Sequence, residues 1–468
     1  MSPRSPNLVG VFALIVFVVL ARPASAQALI GRVVDSESGQ GVVGAIVAAM
    51  SSGDDVRGRT LTRDEGGFSL RLPVGFEPSA LRVERIGYGP QTFSVAGRST
   101  SEVLLLRVTP SPILLEGISA VAESLCGDDV RRDRVVYDVW QEARKSLVTQ
   151  VLSVEEDVPT FETEALVRSL DPRTRAVLEH STQQRRVTAA RPYRAISVEQ
   201  MTTRGWAEDS ADASTIYYAP DATLLLADEF TRQHCFAVDR SDEGILLTFE
   251  PNRERRSFPE LEGVMILDAT SLELTAIRFR YVGLRYFGDG QRAAEGEVLF
   301  YAAPNGMRIV REWAIRMPVA TLLRTSFGDR RSEGVRIDYL REEGGRVLRV
   351  RTRGGEVVLG PAGPAATDSS RPLAERLTTW SADDQSSSGI ALFLRNELPE
   401  AIMVTGVELR DCINVAVSCA QLHPVLVPLQ PGQEARLLVV PREDLSSRID
   451  FVWNFTATTQ DRVDEPPR

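Results

Sequence analysis

Thr62-Arg63-Asp64-Glu65-Gly66-Gly67-Phe68, continued by Ser69-Leu70-Arg71-Leu72, is the stretch that decides how the first part of this chain is built. Asp64 has a short side chain that accepts hydrogen bonds from nearby backbone N–H groups. Gly66 and Gly67 supply the positive φ values that a tight hairpin needs. Past the turn, Phe68, Leu70 and Leu72 alternate with Ser69 and Arg71, which puts the apolar side chains on one face of a strand. Asp35, Asp64 and Glu65 read as turn chemistry on a solvated rim. The glycines and Phe68 already explain the spacing, and no further acid follows at the positions of a calcium-binding loop.

Working outward, residues 29–34 and 42–48 read as strands separated by a polar turn, with Gly44 marking a bulge or a close backbone approach. Residues 81–86 form another strand, Gly87-Tyr88-Gly89-Pro90 bends the chain, and residues 102–107 close the unit. Short strands punctuated by turn residues at this spacing make a β-sandwich. Four ordered pieces carry a family resemblance: Ile30-Gly31-Arg32-Val33-Val34-Asp35, Gly44-Ala45-Ile46-Val47, residues 62–70, and Ile86-Gly87-Tyr88. Together they resemble the carboxypeptidase regulatory-like module, a transthyretin-like sandwich. The resemblance implies a non-catalytic appendage of the kind carried by peptidases, surface proteins and outer-membrane receptors. Residues 114–122 resemble the apolar tail that follows this module in such receptors. The barrel that should come next is absent from the pattern, since ten-residue alternating strands with aromatic girdles are missing and aromatics are only 7%.

At 468 residues the chain exceeds one ordinary core, and 43% hydrophobic with 25% charged residues is a globular composition. The formal charge of −10 argues against nucleic acid as a partner, because phosphate backbones are bound by basic faces. Arg4, the apolar run 8–21 and Ala24-Ser25-Ala26 read as a cleaved secretory signal peptide with Gln27 as the new N-terminus; the run is short for a membrane span. Export and an even cysteine count predict two disulfides among Cys126, Cys235, Cys412 and Cys419. Cys412 and Cys419 are close enough to bridge locally, which leaves Cys126 for Cys235, although four cysteines allow three pairings.

Residues 128–147 have helical periodicity, with Val135, Val136, Val139, Trp140, Ala143 and Leu147 on one face and Arg131, Arg132, Arg134, Arg144 and Lys145 around the other. Residues 160–318 read as a run of strands with one short helix at 221–233, capped by Asp221 or Thr223. Two further polar strands, 335–340 and 347–353, are joined by Glu342-Glu343-Gly344-Gly345. An antiparallel meander with a packing helix is similar to the half-barrel of periplasmic lipoprotein carriers, which implies a concave face for apolar cargo. Residues 390–455 return to sandwich spacing and resemble an immunoglobulin-like domain. The expected fold is mainly β: signal peptide 1–26, transthyretin-like sandwich 27–109, linker 110–127, central antiparallel sheet or half-barrel with one or two helices 128–358, linker 359–388 with a short helix at 371–380, immunoglobulin-like sandwich 389–458, and a flexible tail 459–468.

Motifs of chemistry are scarce. His180, His234 and His423 are far apart and none has Glu three residues on, so the zinc ligands of a carboxypeptidase are missing. There is no Gly-x-Ser-x-Gly elbow, phosphate loop or dinucleotide fingerprint. Arg253, Arg255 and Arg256 read as a polar hairpin tip rather than an anion site, Asp268 as a turn residue, and Trp313 as a strand aromatic. No catalytic, cofactor or metal residue is therefore assigned and no cofactor is expected. The sequence points to an exported, non-enzymatic protein of the periplasm or outer-membrane surface, without a transmembrane segment after cleavage. Its partners would be a cell-envelope protein or glycan, with an apolar ligand as a further candidate for the central sheet. The alternative is a secreted hydrolase whose carboxylate pair lies in the central domain.

Overall fold

A computed structural model describes residues 28–97, 102–111, 125–126, 133–155, 159–187, 196–208, 215–284, 293–327, 330–352, 355–359, 377–384, 389–396, 398–443 and 450–459. The expectations for the signal peptide, for residues 114–122, for the helix start before residue 133, for the linker between 360 and 376 and for the tail beyond 459 lie outside these residues.

The first sandwich is made of β1 (Ala28–Asp35), β2 (Ile46–Met50), β3 (Val56–Leu61), β4 (Gly67–Arg71), β5 (Ala80–Arg85), β6 (Tyr88–Ser94) and β7 (Leu104–Val108). One wall has the order β4-β1-β7 and the other β3-β2-β5-β6, with Val33, Val47, Phe68, Leu70, Leu81, Val83 and Leu106 between them. Because β3 and β4 lie in different walls, the stretch 62–67 is not the tight hairpin expected from its glycines. Asp64–Gly66 make one 3-10 turn; the positive φ values fall on Glu65 (53°) and Gly66 (80°), and Gly67 is extended. The chain must cross from wall to wall before Phe68 can enter the core. A Cβ on Gly66 would lie 2.1 Å from the Val33 carbonyl oxygen, so only glycine fits.

The central unit begins with β8 (Leu125–Cys126) and α1 (Arg134–Glu155), then β9 (Thr160–Leu170), β10 (Val177–Val187), α2 (Val198–Arg204), β11 (Ala207–Glu208), β12 (Ile216–Tyr217), α3 (Ala222–Leu225) and α4 (Asp228–Gln233). It continues with β13 (His234–Ser241), β14 (Gly244–Pro251), β15 (Glu260–Leu267), β16 (Leu274–Val282), β17 (Glu295–Ala302), β18 (Arg308–Phe327), β19 (Arg330–Arg351) and β20 (Val357–Leu359). The sheet runs β10-β9-β19-β18-β17-β16-β15-β14-β13-β8, antiparallel throughout, with β20 beside β19. In β16, Ile277, Phe279 and Tyr281 are buried while Arg278 and Arg280 are exposed, as the alternation in sequence predicts. The buried face meets Val136, Val139, Trp140, Ala143 and Leu147 of α1 in one continuous core with Phe230, Phe236 and Phe249.

The C-terminal unit pairs β25 (Glu434–Val440), β22 (Gly389–Arg395) and β21 (Thr378–Asp384) in one sheet, and β24 (Leu422–Leu429), β23 (Ile402–Ile413) and β26 (Asp450–Thr459) in another. Leu392, Leu394, Ile402, Val404, Val407, Leu409 and Phe455 fill the space between. A single parallel pairing, Arg186 with Thr378, joins β21 to β10 and makes the sheets hydrogen-bonded neighbours.

Several boundaries differ from the sequence reading. Residues 378–384 of the expected linker are strand β21, so the expected helix 371–380 is not formed over Thr378–Trp380, and Leu125–Cys126 of the earlier linker pairs with β13. The single helix at 221–233 is two, α3 and α4, with the Asp221 carboxylate accepting from Leu224 N at 2.8 Å as the cap of the first. Glu342-Glu343-Gly344-Gly345 is not a turn but lies inside β19. Gly345 is opposite Trp313, and a Cβ there would come within 2.5 Å of the indole, so the glycine makes room for a ring. Helix α1 runs to Glu155, past Thr149 and Ser153, whose hydroxyls bond back to the carbonyls of Lys145 and Thr149.

Candidate functional site

Helix α1 is buried on two sides. Val136, Val139, Trp140, Ala143 and Leu147 face the central sheet, and Glu142, Lys145, Thr149 and Leu152 are also buried. At 100° per residue Lys145 and Leu152 fall roughly opposite the apolar stripe, against the first sandwich. Leu152 and Val148 touch Ile46 and Leu61. Lys145 Nζ meets Glu142 Oε1 at 2.7 Å and donates to the carbonyls of Arg85 and Tyr88 at 3.1 and 2.8 Å, which uses all three ammonium donors. Glu142 Oε2 accepts from Gly87 N at 3.1 Å. The bend Arg85-Ile86-Gly87-Tyr88 is therefore gripped by a buried ion pair, and Ile86 joins the central core. Tyr88 also reaches back into its own module, donating to Asp35 Oδ2 at 3.0 Å. Asp35 Oδ1 accepts from the backbone and hydroxyl of Ser38, which holds this carboxyl below the usual range. Thr62 bridges Val42 O and Ala45 N at 2.6 and 2.8 Å. The motif pieces quoted from the sequence thus fasten the module to itself and to α1.

The sequence carries the signal for this junction in Glu142 and Lys145. Lys145 counts with the solvated arginines when α1 is drawn with one buried face, and Glu142 with their neutralising acids. Both are instead about 5–6% exposed. Next to the junction, Arg85, Glu273 and Arg308 extend the polar contact: Arg308 Nη2 lies 3.2 Å from Glu273 and Arg85 Nη2 3.8 Å from it.

A second buried cluster lies at the start of β13 and β15. Arg255 is not at a polar hairpin tip. It is 7% exposed, ion-paired with Glu260, bonded to the carbonyls of Met201 and Thr202, and stacked 4.1 Å from the Phe258 ring centre. His234 is fully buried, with Nδ1 3.0 Å from Phe230 O and Nε2 3.2 Å from Leu261 O. Burial pushes Glu260 up to about 7 against the pull of Arg255. Burial lowers His234 to about 4. Glu260 Oε2 stands 3.9 Å from His234 Nε2, but both residues are inaccessible, so no substrate reaches this acid.

The outward face of the central sheet carries a lattice of opposite charges. Arg278 bridges Glu297 and Glu243, and Arg316 bridges Glu295 and Glu342; Arg168 approaches Glu342, Arg280 meets Glu262, and Arg346 meets Glu164. Two open clefts of about 440 and 520 Å³ lie on it, lined by these pairs with Phe249, Phe279, Leu166 and Leu299. Glu342, the most buried acid of this face, is held between two arginines.

Cys126 is bonded to Cys235, its cross-strand neighbour, and Cys412 to Cys419. His180 is exposed on β10, and His423 Nε2 lies 2.8 Å from Ser418 O. The Asp268 carboxylate accepts from the N–H groups of Ser271 and Thr270 and closes its turn, and Trp313 is a buried strand aromatic. Among the described residues no three of His, Cys, Asp and Glu converge as a metal site would require, and no helix is long and apolar enough to cross a membrane. A sequence comparison with curated proteins finds no match. Residues 28–108, spanning the first sandwich from β1 to β7, match the family model of the carboxypeptidase regulatory-like domain.

Proposed function

We propose that this protein is exported to the cell envelope and acts there by binding, as a scaffold for an envelope protein or glycan, rather than by catalysis. The observation that carries the reading is the junction between module and helix. The regulatory-like sandwich is fixed on the central unit by a buried ion pair and a shared core, so the two present one rigid composite surface. Rigid mutual placement of two β units suits an adaptor. Two disulfides support an oxidising compartment.

The buried acids favour binding over hydrolysis. Glu142, Glu260 and Glu342 are each ion-paired with a lysine or arginine, and a glycosidase pair would have to face open space. An apolar cargo under α1 would have to displace Trp140, Phe230, Phe236 and Phe249, which fill that face. Expression of the full chain in a bacterium with two membranes tests the reading. The processed protein should start at Gln27, carry no free thiol, and sediment with isolated envelopes. Retention in the cytosol unprocessed, or export without envelope association, would sink it.

A further inference from the structure

We propose that the crevice between the first sandwich and the N-terminal half of α1 is a binding site for a phosphorylated sugar. This deepens the envelope-binding reading, on which it rests, by naming a ligand class. The crevice has a volume of about 390 Å³. One wall is the outer face of β2, β3 and β5. The register sets Ala48 between Arg59 and Arg82, so two guanidinium groups flank a side chain too small to fill the space. The other wall is a third side of α1, where Tyr137, Gln141, Arg144 and Val148 recur at helical spacing. The two walls touch at Val148, Leu152, Ile46 and Leu61 and leave the Tyr137 end open.

The charge here is unlike the rest of the molecule. Arg59, Arg82, Arg144, Lys145 and Arg232 line the crevice against Glu84 and Asp228, in a chain whose net charge is −10. Three of the cations are satisfied: Arg82 by Glu84, Arg232 by Glu229, and Lys145 by Glu142. Arg59 and Arg144, on opposite walls, have no ion pair or hydrogen bond among the described residues. On the outer sheet face, by contrast, arginine after arginine is matched with glutamate. Two forked guanidinium groups from facing walls suit an anion with several equivalent oxygens, which is the geometry of a phosphate monoester. Tyr137 is 37% exposed at the rim and offers a ring face to a sugar, with Gln141 and Thr231 as partners for hydroxyls. The volume equals about thirteen waters at roughly 30 Å³ each, which is room for one sugar phosphate. The lining is made of side chains from the sheet face and from the helix, which suits a small ligand held by side-chain contacts.

Titration calorimetry on the mature full-length protein tests the proposal with glucose 6-phosphate, glucose, inorganic phosphate and pentaglutamate as probes. Glucose 6-phosphate should bind at one site at least about ten-fold more tightly than inorganic phosphate, and glucose should not bind detectably. Arg59→Gln and Arg144→Gln should each weaken it about ten-fold, the loss of one charge-assisted bond. Tyr137→Ala should bring glucose 6-phosphate down to the affinity of inorganic phosphate. Arg59→Lys keeps the charge without the fork and should fall between parent and Arg59→Gln, which guards against a variant that merely misfolds. The proposal is overturned by no saturable binding, by equal affinity for inorganic phosphate, by tighter binding of pentaglutamate, or by full affinity in both glutamine variants. Any of these would leave export and envelope sedimentation as they were measured.

Discussion

His234 and Glu260, 3.9 Å apart and both buried, are shifted in opposite directions by the same burial. The signs of their effects on stability differ accordingly. Glu260 is raised from 4.5 to about 7, so its contribution is complete below pH 4.5 and is lost as pH rises through 7. His234 is lowered from 6.5 to about 4, so its contribution is complete above pH 6.5 and is lost as pH falls through 4. Urea unfolding across this range should show that His234→Gln loses less stability than the parent on the acid side. Glu260→Gln should decline less than the parent between pH 4.5 and 7, because an amide does not ionise. Parallel pH profiles for all three proteins would contradict the shifts. The same scale explains why Asp35, Asp171 and Asp268 recur before turns. Each carboxylate accepts the N–H groups two and three residues on and so closes a turn by itself, a device legible in sequence because it is entirely local.

Helix α1 shows how an element can be right in kind and wrong in role. Its apolar stripe identifies a helix and one buried face. Its second buried face is polar, and a polar face reads as solvent until the sandwich that covers it is in place. Thr149 and Ser153, weak helix formers, concealed its last two turns although their hydroxyls bond within the helix, and Ser153 also accepts from Arg308 N at 2.9 Å. Replacing Lys145 by Ala strands the Glu142 carboxylate and should cost on the order of 3–5 kcal/mol. Amide exchange at residues 85–88 should accelerate in that variant, and Glu142→Leu with Lys145→Met should restore only part of the loss, because an apolar pair removes the stranded charge but also the bonds to Arg85 O, Tyr88 O and Gly87 N. Unchanged protection at these residues in Lys145→Ala would show that the ion pair does not hold the junction.

At the scale of the molecule the two disulfides close very different loops, 109 residues apart for Cys126–Cys235 and 7 for Cys412–Cys419. The chain-entropy model assigns about 4–5 kcal/mol to the first and about 2–3 kcal/mol to the second. The first also ties β8 to β13 at the edge of the central sheet. Serine pairs at each bridge, compared by urea unfolding, should therefore separate, with the Cys126–Cys235 pair the more damaging; equal losses would mean that the loop length does not set the effect. The outer sheet face carries paired charges, whereas Arg59 and Arg144, without an ion pair among the described residues, lie at the module–helix crevice, where the sugar-phosphate site is proposed.

Features that depend on neighbours along the chain are legible in the order of the amino acids. Five of the module's seven strands followed from alternation, the turns from Asp, Gly and Ser chemistry, and the paired cysteines from count and spacing; β3 (Val56–Leu61) and β6 (Tyr88–Ser94), rich in polar residues, did not, and the bend expected at 87–90 is the entry to β6. The stretch 62–68 was legible as the mark of a sandwich, though not as a crossing between its walls, because a hairpin and a crossing place the same demands on local backbone. Tertiary structure alone decided that Gly345 faces an indole, that Lys145 is inside, that Arg255 is a strut, and that Arg59 and Arg144 share a crevice. Each of these depends on a partner tens to hundreds of residues away. Whether a polar side chain is solvated or buried is set by what packs over it, and periodicity along one element carries no record of that covering surface.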